Sequence, residues 1–98
     1  MNKNLLIIGT DDYAATIKDI AESMKCFSKI SFLDNRFGEE GYTDEENVIG
    51  KIKNIDQYAL SYRYAIPSFS DCEKRLICIK ELEENCFNVP VIVSPRAY

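Results

Sequence analysis

The sequence predicts a small three-layer α/β domain with a mostly parallel sheet of about four strands. Strand-like runs alternate with helical runs, and the connections between them are short. This alternation is typical of a parallel sheet that carries helices on both faces. The chain has 98 residues, of which 46% are hydrophobic and 29% are charged. These values are those of one globular domain, which we assign to residues 1–98.

Two strands and one helix are indicated in the first third of the chain. Residues 5–8 form a continuous apolar run before a glycine, which is the pattern of a strand buried on both faces. Apolar residues recur at spacings of three and four across residues 13–25 and predict an amphipathic helix. Residues 10–12 supply side-chain oxygens that can cap its start. Residues 30–33 are the second predicted strand.

The middle of the chain is less regular. Residues 36–47 contain two glycines and five acidic residues, which favours an exposed acidic loop. Residues 48–52 read as a short extended piece, and residues 54–59 as a short helical turn. Residues 62–66 are the third main strand, which ends at Pro67 because proline cannot donate a backbone hydrogen bond.

A helix and a last strand are predicted towards the end of the chain. Ser70 and Glu73 form a capping box at the start of the helix, which continues to about residue 85. Its predicted apolar face consists of Cys72, Leu76, Ile79 and Leu82. Residues 89–93 are the last predicted strand, and Pro90 favours an edge position or a strand start.

The predicted topology brings three strand ends to one crevice. Right-handed crossovers place the first strand between the second and third main strands. Ligands of open α/β sheets bind at the carboxyl ends of the strands where the strand order reverses. The candidate binding residues at this edge are Gly9, Thr10, Asp11, Asp12, Tyr13, Asp34, Asn35, Arg36, Ala65, Ile66 and Pro67.

Composition excludes several classes of function. The chain has no histidine, which rules out Ser-His and Cys-His nucleophiles and a histidine base within it. With 12 basic and 16 acidic residues, no basic stretch suggests a nucleic-acid partner. No apolar run approaches the roughly 20 residues of a membrane span, and no secretory signal is evident. We therefore expect a cytoplasmic protein that binds neither nucleic acid nor membrane.

The four cysteines lack a Cys-x-x-Cys pair. A metal site or a disulfide is one reading of them. The other is that they are buried thiols that act as small apolar groups, and this is the reading we expect.

Short stretches of the chain match a known family in their order. They are LLIIG at 5–9, DIAES at 19–23, FLDN at 32–35, VIGKI at 48–52, YAI at 64–66, KR at 74–75 and VIVSPRA at 91–97. Together they resemble the N-terminal domain of PglD-like sugar acetyltransferases, a family that includes sialic-acid O-acetyltransferases. The resemblance covers almost the whole chain.

The resemblance implies a Rossmann-like domain that binds a UDP-sugar. In that family a separate left-handed β-helix domain binds acetyl-CoA and carries the catalytic histidine. For this chain the resemblance therefore implies substrate binding, with no cofactor and no catalytic residue of its own. Asp34 corresponds to an acid that contacts the nucleoside, and Tyr13 occupies the position of a histidine in the family's glycine-rich loop.

The loop after the first strand differs from the family pattern. Family members place glycines there, whereas Gly9 is followed here by Asp11 and Asp12. Two like charges ~4 Å apart repel by roughly 4 kcal/mol at an effective dielectric constant near 20. These carboxylates therefore oppose a bound diphosphate, and Arg36 can offset part of their charge. The alternative function is an interaction or regulatory module that no longer binds a nucleotide-sugar.

Two further interpretations concern a group of carboxylates and a group of tyrosines. Asp11, Asp12 and Asp34 could hold Mg²⁺ or Ca²⁺, although helix capping also explains the first two. Tyrosines 58, 62 and 64 could belong to a protein interface, although core and edge packing is the interpretation we expect for them.

Overall fold

The computed structural model describes residues 3–9, 14–39, 48–69 and 71–90. Its elements are β1 (Asn4–Ile8), α1 (Ala14–Met24), β2 (Lys29–Leu33), β3 (Val48–Gly50), a 3₁₀ helix (Ile52–Tyr58), β4 (Tyr64–Pro67) and α2 (Cys72–Glu84). Each of the strands and helices predicted before residue 85 has a counterpart here, with boundaries that differ by a few residues.

The four strands form one parallel sheet in the order β3-β2-β1-β4. Leu5 of β1 is paired with Ile30 on one side and with Tyr64 on the other. The predicted α/β fold with a central first strand is therefore confirmed. A strand with neighbours on both sides and helices over both faces buries every side chain, which explains the uninterrupted apolar run at residues 5–8.

Side chains of alternate strand residues build two separate cores, one on each face of the sheet. Leu5 and Ile7 pack with α1 on the first face. Leu6 and Ile8 face the opposite side, where the 3₁₀ helix and α2 cover the sheet. The three layers of the predicted architecture are thus formed by α1, the sheet, and the 3₁₀ helix with α2.

Helix α2 begins and packs differently from the prediction. The N-cap is Asp71, whose side chain accepts a hydrogen bond from the backbone N–H of Lys74 at 3.1 Å. Ser70 of the predicted capping box lies outside the described residues. The buried residues of the helix are Cys78 and Leu82, while Leu76 is 67% exposed and Cys72 is also exposed. The predicted apolar face was therefore wrong at two positions, because only the C-terminal half of α2 reaches the core.

Within the described residues, the segment after α2 pairs with the outer edge of β4 at one residue. Asn88 forms an isolated parallel bridge with Tyr64, in which its N–H donates to the carbonyl of Arg63 and its carbonyl accepts from Ala65. The next rung of a parallel ladder would need N–H groups from Pro90 and Pro67, and proline has none. The described part of the predicted last strand, residues 89 and 90, is therefore not in a strand. Residues 91–93 lie outside the described part.

The cysteines depart from the expectation that all four are buried. Cys78 is buried, but Cys26, Cys72 and Cys86 are exposed. All four are free thiols, so the disulfide interpretation is wrong. Among the described residues no group of three or more potential ligands could hold a metal ion, and no helix is long and apolar enough to cross a membrane.

Candidate functional site

The carboxyl rim, defined here by the strand-end residues Gly9, Asp34 and Ser68, brings β1, β2 and β4 together. Gly9 donates its N–H to the carbonyl of Leu33 at 2.7 Å, and Ser68 donates its own to the carbonyl of Ile8 at 3.0 Å. Asp34 in turn donates its N–H to the carbonyl of Gly50 on β3 at 3.0 Å. The ladder of the sheet therefore continues into the rim and holds its backbone in fixed positions.

Gly9 has a backbone conformation that requires glycine. Its φ of +94° lies in the left-handed region. A Cβ atom at this position would lie 3.0 Å from Oγ of Ser68 and 3.1 Å from Cε1 of Phe69. The chain leaving β4 thus packs directly on the turn that leaves β1.

Asp34 and Arg36 form a closed pair at the end of β2. Oδ1 of Asp34 accepts from the backbone N–H and from Nε of Arg36 at 2.8 and 3.1 Å, and Oδ2 accepts from Nη2 at 2.9 Å. Asp34 is only 6% exposed, so its charge needs such a partner. The side chain of Arg36 is 56% exposed, which leaves the guanidinium accessible from solvent.

The other predicted site residues fall into three groups. Asn35 follows Asp34 and accepts a hydrogen bond from the backbone N–H of Lys53 at 3.2 Å, which ties the 3₁₀ helix to the rim. Ile66 and Pro67 lie at the carboxyl end of β4, whereas Ala65 is fully buried in the core on the α2 side. Residues 10–13 lie outside the described part of the chain, so their role in the site stays a prediction, as does the Asp11, Asp12 and Asp34 metal site.

A cleft of about 450 Å³ adjoins the rim on the β4 side. This cleft lies between α1, the end of β4 and the first half of α2. Its lining includes Thr16, Ile17, Ile20, Ile66, Pro67, Ser68, Phe69, Arg75, Ile79, Val89 and Pro90. Among the predicted site residues that the structure describes, Ile66 and Pro67 line it, whereas Gly9, Asp34, Asn35, Arg36 and Ala65 do not. The spacing of Arg75 and Ile79 places them on one helix face, but the sequence does not indicate that this face borders β4.

The three tyrosines that could belong to a protein interface take part mainly in packing. Tyr62 is buried and donates its hydroxyl to Oγ of Ser31 at 2.8 Å. Tyr58 donates its hydroxyl to the carbonyl of Ile49 at 3.3 Å. The ring of Tyr64 meets that of Phe27 edge to face, with 5.6 Å between centroids. These contacts favour the packing interpretation.

The buried thiol of Cys78 is not a candidate nucleophile. Burial, with a smaller contribution from the charge of Glu81, raises its pKa to about 11. A thiol with such a pKa is almost entirely protonated at neutral pH, and the thiolate is the reactive form. Cys78 therefore belongs to the core.

The fold has known structural relatives. The acetyltransferase domain of PglB from Neisseria gonorrhoeae FA1090 in complex with acetyl coenzyme A matches with a TM-score of 0.81 and 20% identity, over 97% of this chain and 45% of that one. A second structure of the acetyltransferase domain of PglB from the same organism matches with a TM-score of 0.78 and 21% identity, over 96% of this chain and 45% of that one. This chain therefore spans less than half the length of these structures, and the likeness shows the fold.

The family comparison is more specific. No curated protein matches the chain. The family model of the PglD N-terminal domain matches residues 4–82, which include every strand and nearly all of α2. The chain thus belongs to the PglD N-terminal domain family.

Proposed function

We propose that this domain binds a nucleotide-sugar, specifically a UDP-sugar, at the carboxyl rim. The observation that carries the proposal is the position of β1 between β2 and β4, which opens a crevice at the carboxyl ends of parallel strands. Membership of the PglD N-terminal domain family supports the proposal, because the resemblance to that family implies a domain that binds a UDP-sugar.

Asp34 is proposed to contact the nucleoside part of the ligand. A carboxylate can accept hydrogen bonds from a ribose diol or from a uracil N–H. Arg36 holds both carboxylate oxygens, so the acceptor is oriented before the ligand arrives. An oriented group loses little conformational entropy on binding, which favours affinity.

Within a larger enzyme, the domain is proposed to present the sugar for acetyl transfer. The structures with the same fold are acetyltransferase domains, and one of them is in complex with acetyl coenzyme A. This chain spans 45% of their length. We therefore assign substrate binding to this domain, and we nominate no residue of it for catalysis or for binding acetyl-CoA.

Calorimetric titration with UDP and a panel of UDP-sugars tests the proposal. We expect dissociation constants near the micromolar range, about −8 kcal/mol. Asp34→Asn should weaken binding by about ten- to a hundredfold, the effect of one hydrogen bond to a charged group. Circular dichroism of the variant verifies that the domain remains folded.

Glu84→Gln is the matched control for the loss of a carboxylate. Glu84 is exposed at the C-terminal end of α2, shortly before Asn88, which pairs with Tyr64 at the start of β4. This end of α2 therefore lies towards the amino ends of the strands, away from the carboxyl rim. Its removal should leave UDP binding unchanged. The proposal would be contradicted by an absence of binding heat at millimolar UDP. It would also be contradicted by an equal loss of UDP affinity in Asp34→Asn and Glu84→Gln.

A protein-interaction module is the second candidate function. It is favoured by the side chains of Leu76 and Ile77, which are 67% and 61% exposed on adjacent positions of α2. Silence towards UDP and UDP-sugars would favour this candidate. If sedimentation velocity detects self-association of the wild type, replacing both residues by serine should abolish it without a change in the fold.

A further inference from the structure

The cleft beside the rim has a lining that combines aliphatic walls with few polar groups. Ile17 and Ile20 come from α1, Ile66 from β4 and Ile79 from α2. Among the described lining residues, the polar side chains are those of Thr16, Ser68 and Arg75. The volume of about 450 Å³ falls in the range of roughly 300–1,000 Å³ that is typical of small-molecule sites.

Arg75 is a cation in the described part of this lining. Its Nη2 contacts Sγ of Cys72 at 3.7 Å, and it forms no ion pair with a carboxylate of the described residues. Its exposed side chain stands at the mouth of the cleft, where an incoming anion can reach it. A planar guanidinium binds phosphate oxygens in a bidentate manner, which makes arginine well suited to phosphate recognition.

The strand order sets the span between the nucleoside end of the site and the β4 side of the sheet, where the cleft lies. Asp34 follows β2, and the cleft lies at the end of β4, with β1 between them. Two strand spacings separate β2 from β4, about 10 Å. An extended nucleoside diphosphate spans such a distance.

We infer that the cleft binds the phosphate-bearing end of the nucleotide-sugar, and that Arg75 is the residue that binds its phosphate. This inference rests on the proposed function and adds the orientation of the ligand. The nucleoside lies at Asp34 on the β2 side, and the phosphates lie towards Arg75 on the β4 side.

Comparison of UDP with uridine separates phosphate binding from nucleoside binding. Arg75→Gln should weaken the affinity for UDP by about ten- to a hundredfold, while the affinity for uridine should change by less than about twofold. Arg75→Lys keeps the charge but loses the planar fork, so its UDP affinity should fall between those of the wild type and Arg75→Gln. Raising the ionic strength should weaken UDP binding more in the wild type than in Arg75→Gln.

Lys80→Gln is the matched control, because Lys80 is an exposed cation of α2 outside the cleft lining. It should bind UDP as the wild type does. Two results would overturn the inference and leave the proposed function intact. One is an equal affinity for UDP in Arg75→Gln and Lys80→Gln, and the other is an equal loss of affinity for UDP and for uridine in Arg75→Gln. A wild type that does not bind UDP would overturn both.

Discussion

Gly9 illustrates how one residue sets the shape of the rim. Its positive φ turns the chain away from β1, and the missing side chain lets Ser68 and Phe69 approach. Both features depend on glycine, and they can be separated by experiment. Gly38 has a similar φ of +85°, but a Cβ there would meet nothing within 4 Å.

Gly9→Ala should therefore destabilise the domain more than Gly38→Ala. The left-handed conformation costs about 1–2 kcal/mol in either variant. Contact with Ser68 and Phe69 should add about 1–3 kcal/mol for Gly9→Ala alone. Urea unfolding of the two variants measures both values. Equal losses would mean that the neighbours of Gly9 shift without cost.

Asp34 shows a buried charge whose partner is close in the sequence. Arg36 lies two residues away and contacts both carboxylate oxygens. The pair cancels most of the desolvation cost that Asp34 would otherwise impose on folding. The sequence placed both residues at the strand end, but the side-chain geometry that joins them depends on the turn after β2.

At the level of elements, α2 contacts the core only through its C-terminal half, where its buried residues Cys78 and Leu82 lie. Leu82 is fully buried against β4 and the core beneath it, whereas Leu76 on the same helix is 67% exposed. The two leucines have similar helix propensity and differ mainly in the apolar surface that they bury. Their comparison therefore isolates the packing of α2 on the sheet.

Leu82→Ala should cost about 2–5 kcal/mol of unfolding free energy, the usual range for a buried leucine. Leu76→Ala should change it by no more than about 0.5 kcal/mol, as for other surface substitutions. Thermal and urea unfolding measure the difference. A small loss in Leu82→Ala would indicate that α2 contributes little to the cooperative unit of folding.

The pairing at the outer edge of β4 also belongs to the level of elements. Pro67 and Pro90 occupy the rung that follows the Asn88 bridge, so neither strand can donate there. Prolines at a sheet edge discourage pairing with a further chain. The same interruption opens the side of β4 on which the cleft lies.

For the whole molecule, the thiol of Cys78 links stability to alkaline pH. Burial raises its pKa from 9.0 to about 11, so the folded state holds this proton more tightly than the unfolded state does. The resulting stabilisation is complete below pH 9 and is lost as the pH rises to about 11.

We expect the unfolding free energy of the wild type to fall between about pH 8 and about pH 10 by more than that of Cys78→Ala. The relevant quantity is the difference between the two proteins, because it isolates the contribution of this thiol. Cys86→Ala removes an exposed thiol and should follow the wild type. Equal pH dependence in the wild type and Cys78→Ala would contradict the effect of burial.

The sequence by itself determined the order of the elements, the parallel sheet and the family. These follow from local signals: a strand buried on both faces is uniformly apolar, a covering helix has a period near 3.6, and a glycine or proline marks where each ends. The same signals located Gly9 and Asp34 at one rim, because parallel strands present their carboxyl ends on the same side.

Only the tertiary structure decided which face of α2 is buried and where the cleft lies. The rotation of a helix on a sheet depends on side chains far away in the chain, so Leu76 became exposed and Cys78 buried. Likewise, Arg75, Ile17 and Ser68 line one cleft because α1, β4 and α2 converge at one sheet edge. Such contacts arise from packing between distant segments, for which the sequence carries no local period.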